Sequence, residues 1–276
     1  MQDLTAKLNA LCDEHPFTTT WYFKDLKSGF TADRNGDQVV PSASTRKISI
    51  MMAALAACHA GNLNLDDPFT IDKEYQDTDS GTFQFLTPGF AITFRDALVM
   101  MIIVSDNTAT EVLFRMVGGP DAVNARMQAL GLKTTRAMNV PSQWFPALRS
   151  APTTEQFYRE GKSPFGYSTA REMGRLLELM ERGTLVDKPS SDLMLRIMRG
   201  QLYRTRIPRY VTGFTIPHKT GDFLPYVGDD VGVLEAPGKT IVISIFTGNH
   251  FGSGELLENA IGLVARDVAD YFAYRP

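Results

Sequence analysis

The sequence predicts a mixed α/β (α+β) protein in which the two ends of the chain build one antiparallel sheet and a helical region lies between them. Three observations support this fold class. Apolar residues alternate with period two near residue 20 and again after Pro208, helical periodicity runs from Ser42 to about Gly200, and a helical pattern closes the chain. With 276 residues, of which 43% are apolar, the chain can bury a large core.

The N-terminal part predicts a helix followed by a hairpin. Leu4, Leu8 and Leu11 recur at helical spacing with charged residues between them. Residues 18–26 and 29–33 are rich in strand-forming residues and flank a Lys-Ser-Gly turn, which is typical of two paired strands. We therefore expect both segments to contribute to the sheet.

Helical patterns dominate the middle of the chain, and several of them end at a glycine, the residue that most readily terminates a helix. The expected helices cover residues 44–59, 93–104, 107–117, 120–130, 169–182 and 190–199. Residues 133–167 are the exception, because this long segment is rich in Pro, Ser and Thr. A loop of that length is usually either functional or disordered.

The C-terminal part returns to strand periodicity. Residues 214–219, 226–234 and 240–247 predict three strands, and residues 236–239 predict the turn between the last two. Residues 255–274 predict a closing helix.

These elements predict a single domain, residues 1–276, that consists of two lobes. We expect an α/β lobe from residues 1–40 together with 205–276, because strands lie at both ends of the chain. We expect a helical lobe from residues 41–204.

Charge and composition argue against several classes of partner. The formal net charge is −3, with acids and bases interspersed, so nothing predicts a surface for nucleic acid or for an anionic membrane. The apolar runs are too short to span a bilayer. The N-terminus lacks a secretory pattern, so we expect a cytoplasmic protein, or a periplasmic or secreted one if a signal peptide has been removed. The oligomeric state stays open.

Cysteine and histidine usage predicts neither a disulfide framework nor a metal site. Cys12 and Cys58 are the only cysteines. The four histidines are scattered without HxxxH spacing, and no CxxC pair occurs. We therefore expect no metal and no cofactor.

The most apolar stretch of the chain, residues 41–61, begins with polar residues. PSASTRKISIMMAALAACHAG places Ser44 and Lys47 one helical turn apart, with Cβ atoms about 5–6 Å from each other. Because the helix has no polar face, Lys47 is expected to be buried, and burial disfavours its ammonium form. A neutral amine could accept the proton of the Ser44 hydroxyl. Alternatively, Ser44 caps the helix and Lys47 reaches solvent, since SxxK also arises by chance.

Two further motifs follow in a specific order. An SDN sequence at residues 105–107 lies between two predicted helices, and a KTG sequence at residues 219–221 lies on the first strand after the helical region. Singly, each has a structural explanation, as an N-cap and as a strand end. The order SxxK, SDN, KTG is that of class A β-lactamases and penicillin-binding proteins. The chain resembles this superfamily over nearly its whole length.

The resemblance implies a serine acyl hydrolase with the two-lobe β-lactamase-like fold. Ser44 would be the acylated nucleophile, Lys47 its proton acceptor, and Ser105 a relay that delivers a proton to the leaving group. Lys219 would supply positive potential near Ser105. The backbone N–H groups of Ser44 and Asp222 would form the oxyanion hole.

The resemblance also implies how a small acyl substrate, a β-lactam, amide or ester, would be held. Asn107 would bind its amide, Thr220 would bind its acid group, and Gly221 would let the strand approach the acyl chain closely. Three alternatives stay open. They are a carboxylesterase or amidase without penicillinase activity, a penicillin-binding sensor or DD-peptidase-like protein that deacylates slowly, and a non-catalytic domain of the same fold.

The chain departs from the class A pattern in two places. Asp222 follows KTG, where a small or neutral residue is usual, and its charge would oppose an anionic substrate unless Arg206 and Arg209 supply a cationic anchor. The loop that carries a water-activating glutamate in class A enzymes, in an ExxLN-like setting, has no such sequence here. Its acids, Glu155 and Glu160, are candidates for that role, with a solvated loop charge as the alternative.

Overall fold

The computed structural model describes residues 2–76, 80–138 and 165–273. These ranges contain eight α-helices and ten β-strands, so the predicted mixed architecture is confirmed. No helix within them is long and apolar enough to cross a bilayer. The helices are α1 (Gln2–Asp13), α2 (Lys47–His59), α3 (Phe94–Ile103), α4 (Asn107–Met116), α5 (Gly119–Ala129), α6 (Ala170–Glu181), α7 (Lys188–Arg199) and α8 (Gly254–Ala273). The strands are β1 (Thr18–Asp25), β2 (Thr31–Arg34), β3 (Val40–Pro41), β4 (Pro68–Ile71), β5 (Phe90–Thr93), β6 (Arg136–Ala137), β7 (Gly166–Ser168), β8 (His218–Phe223), β9 (Val227–Ala236) and β10 (Lys239–Gly248).

Five strands form the central sheet in the order β2-β1-β10-β9-β8. The pairs β1–β2, β1–β10, β9–β10 and β8–β9 are antiparallel. Because β1 pairs with β10, the two ends of the chain meet inside one sheet, and Trp21 lies opposite Ile245. The sheet predicted from both termini is therefore confirmed.

Both faces of this sheet are buried at β10. Successive side chains of the strand point to opposite faces, and apolar residues occupy both sets of positions. Ile241, Ile243 and Ile245 pack in a cluster with side chains from α1 and α8. Val242 and Phe246 point to the opposite face and pack in the larger cluster that contains α2 and α6. The division into lobes at residues 40 and 205 stays a prediction.

The strand that carries the KTG sequence begins later than expected. Residues 214–219 were predicted as the strand, whereas β8 runs from His218 to Phe223. Pro217 has no N–H to donate to a neighbouring strand, and before it the pairing with β9 is an isolated bridge between Thr215 and Glu235. The shift places the whole KTG sequence inside the strand.

A short 3-10 helix, Ala43–Arg46, precedes α2 and carries Ser44. The continuous helix expected over residues 44–59 is thus divided, with its α-helical part starting at Lys47. Every side chain from Lys47 to Ala56 is buried, as the absence of a polar face predicted. The side chain of Lys47, one helical turn after Ser44, therefore lies in the protein interior.

Two small antiparallel sheets are formed by strands that the sequence pattern did not predict. Their strand orders are β3-β7-β6 and β4-β5. These strands are two to four residues long, which is too short to establish a period-two pattern in the sequence.

Candidate active site

Two buried lysines converge on the hydroxyl group of Ser105. Lys47 Nζ donates to the carbonyl oxygen of Ser105 at 2.7 Å, to Ser105 Oγ at 3.0 Å and to Asn107 Oδ1 at 2.6 Å. Lys219 Nζ, from the opposite side, donates to Ser105 Oγ at 3.2 Å and to the carbonyl oxygen of Thr220 at 2.7 Å. Both lysines have no exposed surface. The structure thus brings the first, second and third motifs into one hydrogen-bond network.

The aspartate of the SDN sequence fixes the turn that presents Ser105. Asp106 is the N-cap of α4, and its Oδ1 accepts a hydrogen bond from the N–H of Ala109 at 2.9 Å. Its Oδ2 accepts from the N–H groups of Thr82 and Phe83 at 2.7 and 2.8 Å. Ser105 has a φ of 57°, a left-handed conformation that non-glycine residues rarely adopt. The buried carboxylate therefore holds a strained turn in place.

Strand β8 passes directly over the backbone at Ser44. A Cβ atom built on Gly221 would lie 3.0 Å from the backbone nitrogen of Ser44 and 3.0 Å from that of Thr45. A Cβ atom so close to backbone atoms would require the neighbouring chain to move by a few tenths of an ångström, so glycine permits this approach without such a shift. Ala43, just before Ser44, has a φ of 39°, a second strained conformation next to the motif residues.

A cavity of about 510 Å³ opens beside these groups. Ser44, Ser105 and Asn107 line it, together with Arg206 and Asp222. Its size is in the range of sites that bind small molecules. The sequence-predicted nucleophile therefore faces an accessible space, with the two lysines buried behind the lining residues.

Burial lowers the pKa of Lys219 to about 7, although Asp222 and Asp230 act in the opposite direction. The cause is desolvation, which disfavours the charged ammonium form inside the protein. Near neutral pH, this amine is thus close to the midpoint of its titration. Proton uptake or release at Lys219 changes the positive potential at Ser105.

The two arginines proposed as a cationic anchor occupy different places. Arg206 lines the Ser44 cavity but is 3% exposed. Arg209 does not line that cavity, and its guanidinium contacts Glu255 at 3.3 Å. Glu155 and Glu160 lie outside the described residues.

Several residues that line the cavity belong to none of the sequence motifs. Ser80, Tyr203 and Glu258 also line the Ser44 cavity. Ser80 and Tyr203 lie in loops and Glu258 lies on α8, far from the motifs along the chain. No sequence pattern marks them, because only the folded chain brings these segments together. Over the residues with described coordinates, no group of three His, Cys, Asp or Glu side chains could hold a metal ion.

Comparison with known proteins identifies relatives along nearly the whole chain. A family model described as the β-lactamase enzyme family matches residues 3–272. The β-lactamase VEB-1 of Pseudomonas aeruginosa is 24% identical over 86% of this chain and 80% of its own length. A β-lactamase of Streptomyces lavendulae is 24% identical over 97% of this chain and 85% of its own length.

Solved structures show the same fold. A mutant of PBP-A, determined as an acyl-enzyme complex with penicillin G, superimposes with a TM-score of 0.86 at 26% identity, covering 100% of this chain and 98% of the other. A β-lactamase from Sphaerobacter thermophilus superimposes with a TM-score of 0.85 at 27% identity, covering 100% and 99%. The match of the family model over residues 3–272 shows that the chain belongs to the β-lactamase enzyme family.

Proposed function

We propose that this protein is a serine hydrolase that cleaves a β-lactam or a related amide or ester through an acyl-enzyme on Ser44. The observation that carries the proposal is the convergence of Lys47 and Lys219 on Ser105 Oγ at the edge of the cavity that Ser44 lines. Such an arrangement supplies a nucleophile, a base and a proton relay within one site. Relatives named as β-lactamases support the choice of a β-lactam as substrate.

In the proposed acylation step, Ser44 Oγ attacks the substrate carbonyl carbon, and its proton passes to Lys47, which must first lose a proton and with it one of its three donated hydrogen bonds. The negative charge that develops on the carbonyl oxygen is stabilised by the backbone N–H groups of Ser44 and Asp222. The close approach of β8 at Gly221 supports this geometry, because it holds the strand against the Ser44 backbone.

Ser105 is proposed to deliver its hydroxyl proton to the leaving nitrogen or oxygen as the bond of that atom to the acyl carbon breaks, and the Lys47 ammonium, which has taken the Ser44 proton, replaces it along the 3.0 Å hydrogen bond to Ser105 Oγ. Its Oγ accepts hydrogen bonds from both lysines, so both lone pairs are engaged and its own O–H is free to donate elsewhere. Lys219, in its protonated form, keeps positive charge beside this hydroxyl. Water then hydrolyses the ester on Ser44.

The test is covalent labelling combined with turnover. We expect nitrocefin or p-nitrophenyl acetate to add one acyl group to the wild-type protein, located on Ser44 by mass spectrometry, and we expect no adduct on Ser44→Ala. Ser42→Ala is a matched control, because Ser42 Oγ is buried two residues away and has no hydrogen-bond partner among the described residues. Equal hydrolysis by the wild type and Ser44→Ala would refute the proposal.

A second candidate is a penicillin-binding protein that is acylated but deacylates slowly. The likeness to PBP-A favours it, as does the lack of an ExxLN sequence in the loop that contains Glu155 and Glu160. The same experiment separates the two candidates. Continuing turnover after the first equivalent supports a hydrolase, whereas a single stoichiometric burst with a lasting adduct supports the slow form.

A further inference from the structure

A cluster of three charged side chains lines one end of the Ser44 cavity. Asp222 lies on β8 and Glu258 lies on α8. Arg206 immediately precedes the 3-10 helix Ile207–Arg209. Arg206 Nη2 contacts Asp222 Oδ2 at 2.9 Å and Glu258 Oε1 at 3.3 Å. The cluster therefore joins two carboxylates to one guanidinium at the position where the KTG strand ends.

Both terminal nitrogens of the Arg206 guanidinium are engaged by the protein itself. Its Nη1 donates to the carbonyl oxygens of Gly221 and Asp229, each at 2.9 Å. Its Nη2 is taken by the two carboxylates, and its Nε is buried without a hydrogen-bond partner among the described residues. With 3% of the side chain exposed, Arg206 has no donor directed at the cavity for a substrate carboxylate to use.

The exposed charge at this end of the cavity is negative. The side chain of Asp222 is 48% exposed and that of Glu258 is 19% exposed, whereas Arg206 lies behind them. The three charges sum to −1, so a substrate group that reaches this end meets a carboxylate first. An anion there would have to displace Asp222 from Arg206 or lie beside it, and like charges at such distances repel.

The other two arginines near this end of the cavity do not line it. Arg204 and Arg209 line an adjoining groove that shares Thr205, Leu224 and Glu258 with the Ser44 cavity. Asp222 is therefore expected to repel an anionic group only in the part of a substrate that occupies the cavity itself.

We infer that Asp222 already occupies the anion position on Arg206, so that this end of the cleft accepts a neutral or cationic substrate group and selects against a carboxylate. The inference rests on the proposed function and names the substrate class for that same site. It distinguishes this chain from an enzyme that anchors the acid group of its substrate on a free arginine. Asp222 and Glu258 are the specificity-determining residues.

The test uses three phenylacetylglycyl aryl esters that differ in one substituent on the phenol. The meta substituent is a carboxylate, a carboxamide or an aminomethyl group, which gives charges of −1, 0 and +1 at neutral pH. Each kcat/KM is divided by the rate of uncatalysed hydrolysis of the same ester, which removes the difference in leaving-group reactivity. We expect the wild type to prefer the amide and ammonium esters over the carboxylate ester by about tenfold.

Asp222→Asn should abolish the preference for the amide ester over the carboxylate ester, because it removes the negative charge at residue 222 and frees Arg206 Nη2 from that carboxylate while it keeps the backbone N–H. Relative to the amide ester, we expect the normalised kcat/KM of the carboxylate ester to rise about tenfold and that of the ammonium ester to fall. Glu258→Gln should shift the ranking in the same direction. Thermal unfolding of each variant shows that it is folded at the assay temperature.

Asp37→Asn is the matched control. Asp37 is also exposed and paired with an arginine, Arg171 at 2.8 Å, but it does not line the Ser44 cavity. The Asp37→Asn variant should have the same normalised kcat/KM as the wild type with each of the three esters. If no ester labels Ser44, the proposed function is overturned. If Ser44 is labelled but the wild type prefers the carboxylate ester, or if both Asp222→Asn and Glu258→Gln leave the ranking unchanged, this inference alone is overturned.

Discussion

The buried amine of Lys219 makes a specific prediction about stability and pH. With a folded-state pKa of about 7 and an ordinary value of 10.5, Lys219 binds fewer protons in the folded state than in the unfolded state between these limits. Stability rises with pH wherever the unfolded state binds more protons. The contribution of Lys219 therefore becomes more favourable as pH rises from 7 to 10.5, at about 1.4 kcal/mol per pH unit.

Lys219→Met removes this titration and keeps a similar side-chain volume. The free energy of unfolding of the wild type minus that of the variant should therefore rise by about 2.5 kcal/mol between about pH 7.5 and about pH 9.5. Other titrating groups, including the buried Asp229, whose pKa burial raises well above its usual value, are present in both proteins and largely cancel in the difference.

The assay is urea unfolding followed by circular dichroism at several pH values in this range. Lys27→Met is the matched control, because Lys27 is exposed on the turn between β1 and β2, and its curve should run parallel to that of the wild type. A wild-type minus Lys219→Met difference that stays constant with pH would refute the argument that burial governs the charge of Lys219.

Three further variants test the geometry of the site. Ser105→Ala removes the oxygen on which both amines converge, and we expect the acylation rate with nitrocefin, measured by stopped flow, to fall about 100-fold; a rate within threefold of wild type, on the order of scatter between preparations, would contradict the relay role. Gly221→Ala places a methyl group 3.0 Å from the Ser44 nitrogen, and we expect slower acylation together with a loss of about 1–3 kcal/mol in urea unfolding. If its acylation rate is normal, the strand does not need this close approach. Asp106→Ala leaves three N–H groups without their acceptor, and should lower the free energy of unfolding by about 3 kcal/mol; a loss below about 1 kcal/mol would show that other acceptors replace the carboxylate.

The helix and sheet pattern was predictable where periodicity is long and unambiguous. Helix α2 shows this, because an apolar segment without a polar face has to be buried on all sides, and β10 shows it because both of its faces carry apolar side chains. The start of β8 was predicted wrongly. Apolar residues before Pro217 suggested a strand, but the missing N–H of proline limits the pairing there to one bridge.

The charge cluster at the cavity shows what the sequence could not supply. Arg206 and Asp222 are 16 residues apart and Glu258 lies on a different element, so no local pattern indicates that they pair. From sequence, Arg206 was expected to offer a charge to the substrate. In the folded chain it is buried by contacts that form only after β8, β9 and α8 have assembled, and long-range pairing of this kind is invisible to residue spacing.

The conformation of Ser105 is the second feature that spacing could not reveal, and Asp106 explains how the fold maintains it. A left-handed non-glycine residue costs roughly 1–2 kcal/mol, so it persists only where its surroundings favour it more strongly. The carboxylate of Asp106 is fully buried and accepts three backbone hydrogen bonds from two separate segments, which together exceed that cost. In this conformation, both the carbonyl oxygen and Oγ of Ser105 accept from the same Lys47 amine. The middle residue of the SDN sequence thus acts as a positioning residue for the serine before it.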